Sequence, residues 1–581
     1  MNKQIEKMGA DPVTTEITRN ALTVIAEQIT TRMIRSATSH IIREMEDCSA
    51  AIFDARGRLL AESASVPIHL NAINVCLDTI LQHYFPISEW KPGDVIITND
   101  PYAGGASLSS HHTNDIITYR PVFLGDRLVS IVAITVHHMD VAAAEMGTRG
   151  WNTEIEQEGL RVPPVKIIRS CKLDQGIFSI FKANTRLPEY FENDLMAQLS
   201  TLERAETEII GLFEKYGVEM IENCFDNLIA HSEVLMREYI RSIPDGEYSH
   251  EEVILDDGAK GGPFKLRLTI RVNGSDIQFD FTGTDKQVAG PINAPLSATM
   301  AAIGYVMRSI TNPDLPNTEG TKRPVSVVAL AGTLVNCQWP AACTQRMVVC
   351  HVIVDLVMGA LAEAIPERVM ADSCGCLYNG VTCEDESPGK RMIVLEVVPG
   401  GIGATSQKDG ANVLSCHVTN CPIPPIEATE SDMPILFLKR ELYQDSGGAG
   451  RYRGGLGQVL SYKVLSDVAD LHYTSQKSVI HPQGTAGGGS GDGGHWMINE
   501  GSGSTERRLK YAIGDLEPLQ RGDVVTHYTP GGGGYGRPHD RPVAEVVADV
   551  REGYISINHA SEFYGVVIDP KTLKVTEVRR A

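Results

Sequence analysis

Between residues 16 and 46 the chain places Ile17, Leu22, Ile25, Ile29, Met33, Ile34, Ile41, Ile42 and Met45 at roughly the 3.6-residue period of an amphipathic helix. A helix of that length must bury its apolar face, and the next segment offers a partner. In AAIFDARGRLLAES, residues 50 to 63, apolar positions alternate around Asp54-Ala55-Arg56-Gly57, a hairpin signal. The expected start of the fold is therefore a long helix leading into a sheet, with the string REMEDCS at the junction. Further strand-like runs at DVIITND (94 to 100), DIITYRPVF (115 to 123) and LVSIVAITV (128 to 136) extend that sheet from neighbouring segments.

The helical period returns from Leu187 to Arg241 and stops at IPDGEY, residues 243 to 248, where a Pro and an Asp-Gly turn suggest a boundary. Residues 249 to 285 alternate again, 296 to 310 and 348 to 365 are apolar enough for buried helices, and from about 395 the chain is rich in Gly and short strands. No repeat of fixed period occurs. The expectation is a multi-domain α+β chain of four stretches: 1–186 around the junction and its sheet, a helical 187–245, an α+β 246–394 and a strand-rich 395–581. The length of 581 residues suits about three to five domains.

Composition removes several function classes. A formal net charge of −21, spread along the chain, repels phosphate backbones, so no nucleic-acid partner is expected. No apolar run approaches the roughly 20 residues of a membrane span. The first residues lack an apolar signal core, so a cytoplasmic location is expected. In a reducing compartment the 12 cysteines read as free thiols, because Cys374, Cys376 and Cys383 do not have zinc-finger spacing and Cys416 and Cys421 are an isolated pair. The glycine strings 487 to 496 and 530 to 536 lack the GxxxxGK[ST] of a phosphate loop, as does GAKGGPFK at 258 to 265, and read as turn formers. No GxSxG elbow is present, and Cys48 reads as a small buried thiol rather than a nucleophile.

Histidine is distributed unevenly. At the average density of 17 in 581, the window from 111 to 138 would hold about one, and it holds four: His111, His112, His137 and His138. SSHHTND opens one strand-like run and ITVHHMD closes the next. Neighbouring strands would bring His112, Asp115 and His137 into one cleft, a nitrogen and oxygen set suited to Zn²⁺, Mn²⁺ or Fe²⁺. Asp47, at the end of the first helix beside the same sheet, is the candidate fourth ligand.

The strings REMEDCSAAIFDARGRLLAES, VPIHLNAI, PGDVIITNDPYAGG, HHTNDIITYRPVF, VHHMDV, TEIEQEGLRVPPVK and NTRLPEYFENDLMAQ resemble the hydantoinase B/oxoprolinase family, as do GPINAPLSAT, GALAEAIPERV, GRYRGGLG, PGGGGYG and DVREGYIS further on. The resemblance runs in order along almost the whole chain. It implies a beta-type subunit of an ATP-dependent amidohydrolase that opens a cyclic amide: a hydantoin, N-methylhydantoin, oxoproline or lactam. It also implies a hydantoinase A-like partner that binds ATP and Mg²⁺, in a heterotetramer of two copies each, with the activated species passing to one divalent metal, Zn²⁺ first and Mn²⁺ or Fe²⁺ as alternatives. Carried over by motif, the metal falls on Asp47, His112, Asp115 and His137.

Two departures bear on that set. The loop GGASLSSHHTND is a few residues longer than the family's GGTHLPD, so His111 could replace His112 as ligand; and His137 and His138, adjacent on a strand, would face opposite sides. Asp140 and His138 are the candidate general bases or orienting groups. The second activity that the resemblance implies is a subunit of an ATP-dependent ketone carboxylase of the acetone or acetophenone type, with bicarbonate as co-substrate.

Overall fold

The computed structural model describes residues 11–147, 149–384, 391–510 and 512–580. It has two compact units: 1–148, 152–251 and 266–353 form the first; 149–151, 252–265 and 354–581 form the second. The stretches expected at 1–186 and 187–245 thus fall almost wholly in the first unit and 395–581 in the second, while 246–394 is divided between them.

In the first unit, helix α1 (Pro12–Ser36) starts on Asp11, whose carboxylate caps the Thr14 N–H. The helical period continues to Met45, but the helix stops at Ser36. The following Thr38 and Ser39 turn their N–H groups to the buried carboxylate of Asp194 at 2.7 and 3.3 Å, a tertiary alternative to the helical ladder. One short helical turn, His40–Arg43, resumes the pattern. Strands β1 (Cys48–Asp54) and β2 (Leu59–Ala64) form the expected hairpin, its turn held by Asp54 Oδ1 accepting from the Arg56 and Arg58 N–H groups at 2.9 and 2.8 Å.

Helix α2 (Ala72–His83) precedes β3 (Val95–Thr98), β4 (Asp115–Leu124), β5 (Arg127–His137), β6 (Val165–Arg169) and β7 (Lys172–Leu173). These strands form one antiparallel sheet of seven, in the order β2-β1-β5-β4-β3-β6-β7. Its central strands are covered on both faces. Ala50, Ile52, Val132 and Ile134 pack with Leu22, Ile29 and Met33 of α1 and with Leu202, Ile209 and Phe225 of helices α3 (Pro188–Tyr216) and α4 (Val218–Arg241). Ala51, Phe53, Ile131 and Ala133, alternating with these, pack with Ile73, Leu77 and Ile80 of α2. Double coverage explains why LVSIVAITV reads as a continuous apolar run. Helices α3 and α4 divide the helical stretch at Gly217, whose φ of +84° ends the first helix. Residues expected to alternate supply β8 (Gly246–Ile254), β9 (Phe264–Asn273) and β10 (Asp276–Asp280), completed in a four-stranded sheet by β11 (Val325–Val328); helix α5 is Leu296–Ile310 and α6 is Met347–Leu361.

The second unit holds two larger sheets and a two-stranded one of Val566–Ile568 and Val575–Val578. Of the larger two, one orders Arg391–Val397, Leu377–Glu384, Ala469–Ser475 and Ile513–Leu519; the other orders Ile435–Leu442, Gln458–Val464, Val524–Tyr528, His495–Ile498 and Arg507–Arg508. The glycine strings are not chiefly turns. Of the glycines in 530–536 only Gly536 has a positive φ, and the others pack backbone against backbone. Gly532 donates to Gly455 O and accepts from Gly448 N, both at 2.8 Å, while Gly533 donates to Asp372 O at 2.8 Å and Gly534 to Gly489 O at 2.9 Å. These N–H groups are spent inside the fold. Among the described residues none of the twelve cysteines is in a disulfide.

A methyl group at Gly532 would lie 2.1 Å from the Ile402 carbonyl oxygen, whereas one at Gly489 meets nothing closer than 3.4 Å. Gly532→Ala should destabilise by at least about 3 kcal/mol and Gly489→Ala by under about 1 kcal/mol. Chemical denaturation of the two variants checks this, and equal midpoints would refute it.

Candidate metal centre

Strand register builds the site. Asp115 opens β4, His137 closes β5, and the two are direct partners in the ladder. On the other side of β5, Cys48 pairs with Val136, and the His137 N–H donates to the Asp47 carbonyl at 3.1 Å. Three residues far apart in sequence therefore stand side by side at one end of adjacent strands. Asp47 is aimed by a sharp bend, with Glu46 at φ +54° and the Cys48 N–H returning to the Glu46 carbonyl at 2.8 Å.

The loop before β4 supplies two more side chains. Ser110 Oγ donates to the carbonyls of His112 and Asp115 at 2.9 and 2.8 Å, folding the HHTND segment over the strand end. His112 Nε2 lies 3.0 Å from Asp115 Oδ1, and His137 Nδ1 lies 3.3 Å from the same oxygen and 3.8 Å from Asp47 Oδ2. Asp47, His112, Asp115 and His137 thus come together. His111 does not replace His112 but joins it, with Nδ1 3.9 Å from Asp115 Oδ2.

His69 is a member that sequence reasoning missed. It sits on the short turn Pro67–His69, gives Nδ1 to Ser49 Oγ at 2.9 Å, and directs Nε2 to Asp47 Oδ1 and Asp115 Oδ2, each at 3.8 Å. The string VPIHLNAI carries no spacing that ties it to HxxD, so only its place in a family-like motif marked it. Arg346 was missed too; its Nη2 lies 3.1 Å from Asp115 Oδ2. The segment bearing Arg346 is held by Glu158, whose Oε1 accepts from the N–H groups of Cys343 and Thr344 at 2.9 and 2.8 Å.

His138 and Asp140 stand apart from the cluster. Strand alternation sends His138 to the opposite side, where Nε2 is 3.3 Å from Gln198 Oε1 and the ring lies 5.1 Å from that of Phe191. Asp140 is occupied by Arg186, with Nη1 at 2.8 Å on Oδ1 and the backbone N–H on Oδ2, where Thr185 Oγ1 also donates at 3.2 Å.

Burial sets the charges. It depresses the basicity of His69 and of His111, and that of His112 to about 3. For His137 the same desolvation is outweighed by the close Asp115 carboxylate and the charge of Asp47, which raise it. Burial alone would raise Asp115, but His112, His137 and Arg346 hold it well below the usual carboxylate range. Burial, with Asp47 and Glu46 nearby, pushes the Cys48 thiol up, so it stays protonated. Among the described residues, Asp47 Oδ1, Asp115 Oδ1, His111 Nε2 and both ring nitrogens of His112 are buried without a hydrogen-bond partner. Buried polar atoms are nearly always satisfied, and a group of nitrogen and carboxylate donors left open together fits a divalent cation. His112, Asp115 and His137 place one ligand atom each within 4.8 Å of one another, as do His69, His111 and Asp115.

The hydantoinase B/oxoprolinase model matches residues 11–538. The caprolactamase beta subunit of Pseudomonas jessenii is 29% identical over 575 residues, 96% of each chain. A 5-oxoprolinase of Arabidopsis thaliana is 29% identical over 91% of this chain and 42% of its own. The crystal structure of the ATP-dependent caprolactamase from Pseudomonas jessenii superposes with a TM-score of 0.87 at 28% identity, covering 97% of both chains. A nucleotide-free acetone carboxylase superposes with a TM-score of 0.88 over 99% of this chain and 82% of its own; at 18% identity it shows a shared fold.

Burial pushes the Glu158 carboxyl up to about 7 from an ordinary 4.5. The folded chain then holds a proton that the unfolded chain has released, so stability falls as pH rises from about 4.5 to about 7, by on the order of 3 kcal/mol. Glu158→Gln keeps an oxygen for the two N–H groups and removes the titration. Its melting temperature should depend less on pH than the wild type's across that window; identical profiles would refute the assignment.

Proposed function

The chain belongs to the hydantoinase B/oxoprolinase family, and we propose that it is the metal-bearing beta-type subunit of an ATP-dependent hydrolase of cyclic amides such as hydantoins, N-methylhydantoin, oxoproline or lactams. The observation that carries this is the buried set Asp47, His112, Asp115 and His137 with its unpartnered donor atoms, in a chain similar from end to end to a caprolactamase beta subunit. These four residues would hold one divalent ion, Zn²⁺ or else Mn²⁺ or Fe²⁺. Such an ion supplies Lewis acidity at the carbonyl of an activated amide.

The protein's own groups prepare that chemistry. Ser49 fixes the His69 ring so that Nε2 faces the cluster. Arg346 holds Asp115 Oδ2 in place and joins His112 and His137 in keeping the carboxylate ionised. Asp47, 17% exposed, is the least buried side chain of the cluster, so substrate would enter past it, while the flanking histidines exclude bulk water. Gln198 anchors α3 to the sheet, its Nε2 donating to Ile116 O and Thr118 Oγ1, each at 3.0 Å. With Gln198 and Arg186 on them, His138 and Asp140 serve as orienting groups behind the strand ends rather than as bases.

An unstrained amide resists hydrolysis, and this reading assigns the ATP and Mg²⁺ that drive it to a hydantoinase A-like partner, two copies of each subunit, with bicarbonate as a further co-substrate in some reactions. No helix among the described residues is long and apolar enough to cross a membrane.

His112→Ala and Asp115→Ala should each lose metal and lower ATP-dependent ring opening by the reconstituted pair by more than about 100-fold, beyond the usual cost of losing a supporting residue, while the partner still binds ATP. His138→Ala should retain its metal. Metal content and rates on a panel of cyclic amides, with and without bicarbonate, decide this; full metal in Asp115→Ala would sink it. The isolated chain should show no ATP binding by calorimetry, because its glycine N–H groups are engaged internally; tight binding would return the nucleotide to this chain.

A further inference from the structure

Six side chains converge where one ion needs four. Their pairing has a pattern. Asp115 turns Oδ1 to His112 Nε2 and His137 Nδ1 at 3.0 and 3.3 Å, and Oδ2 to His69 Nε2 and His111 Nδ1 at 3.8 and 3.9 Å. Asp47 repeats the division, with Oδ2 3.8 Å from His137 Nδ1 and Oδ1 3.8 Å from His69 Nε2. Each carboxylate therefore spans two histidine pairs, one oxygen to each. Two ligand atoms bonded to one ion at about 2.1 Å lie roughly 3.0 to 3.4 Å apart when adjacent and about 4.2 Å apart when opposite. In both triads the ligand atoms lie within 4.8 Å of one another before any ion draws them in.

We propose that the chain binds two divalent cations, one between His112 and His137 and a second between His69 and His111, bridged by Asp115 and Asp47. This rests on the metal reading of the first site and adds the second. The second pair is built for the role. Ser49 occupies His69 Nδ1 and leaves Nε2 directed at both carboxylates, while His111 turns Nδ1 to Asp115 Oδ2 at 3.9 Å. Carboxylate-bridged ions about 3.5 to 4 Å apart are a recurrent arrangement where two substrate oxygens are handled together. Arg346 Nη2, 3.1 Å from Asp115 Oδ2, stands on the same side and balances charge until the second ion binds. The second ion is therefore the weaker of the two, and loading is sequential.

The test uses the full-length chain stripped with a chelator and titrated with Mn²⁺, read by calorimetry, bound-metal analysis and electron paramagnetic resonance. Expected are two equivalents, the tighter first, with the six-line signal of an isolated ion giving way to an exchange-coupled spectrum at the second. His69→Gln and His111→Gln should each fall from two equivalents to one and keep the uncoupled signal. One equivalent in the wild type, uncoupled and unchanged by either substitution, would overturn the second site and leave the first intact. No binding by the wild type, or binding indifferent to His112→Gln, would overturn the metal reading altogether. Should a variant fail to fold by circular dichroism, the stoichiometry and coupling of the wild type still decide.

Discussion

The backbone ladder that sets Asp115 opposite His137, with the Asp47 carbonyl accepting the His137 N–H at the same strand end, is the constraint on which the rest of the first unit depends. Pairing at β1, β5 and β4 is antiparallel and its register is fixed from both faces, because alternate residues of each strand are buried against different helices. A slip of one residue would turn Ile52, Val132 and Ile134 from the α1 side to the α2 side, and would also carry His138 into the position of His137. The packing that holds the core in place thereby selects which histidine faces the carboxylates. The geometry of the cluster is a by-product of core register rather than an addition to it.

Concentrating two carboxylates, four imidazoles and a guanidinium where water hardly reaches is expensive, since buried ionisable groups cost free energy unless paired. The structure compensates in part. Arg346 neutralises one oxygen of Asp115, Ser49 takes one nitrogen of His69, and burial keeps His69, His111 and His112 uncharged near neutral pH. What remains open is a set of lone pairs aimed at common points. A divalent cation would satisfy several of them together. The supports reach well beyond the cluster, through Glu158 to the segment that carries Arg346 and through Gln198 to the helix behind the sheet, so substitutions at either should be felt at the site.

The glycine-rich second unit solves a different problem. Its strings run through stacked backbone, where carbonyls of neighbouring segments approach positions that a Cβ would fill. Such packing satisfies N–H groups within the fold and removes them from any phosphate. Glycine richness there reflects crowding, and a search for a nucleotide loop by composition alone would have been misled.

Much of the first unit was legible in residue order because its signals are local. Helical period, the Asp54 turn, the apolar strands and the excess of histidine between 111 and 138 each lie within a few residues of one another, and the order of the motifs identified the family. Local signals also misplaced the end of the first helix, since the group that competes for Thr38 and Ser39 is Asp194, more than 150 residues on. The same limit hid His69 and Arg346, which join the cluster only when the turn after β2 and the segment before α6 are folded against the strand ends. Whether His111 faces the site beside His112 was likewise a matter of loop conformation. Sequence by itself determined the family, the strands and the side-chain chemistry at their ends. Tertiary structure alone decided which distant groups share that end, because contacts between segments far apart along the chain leave no spacing in the sequence from which they can be read.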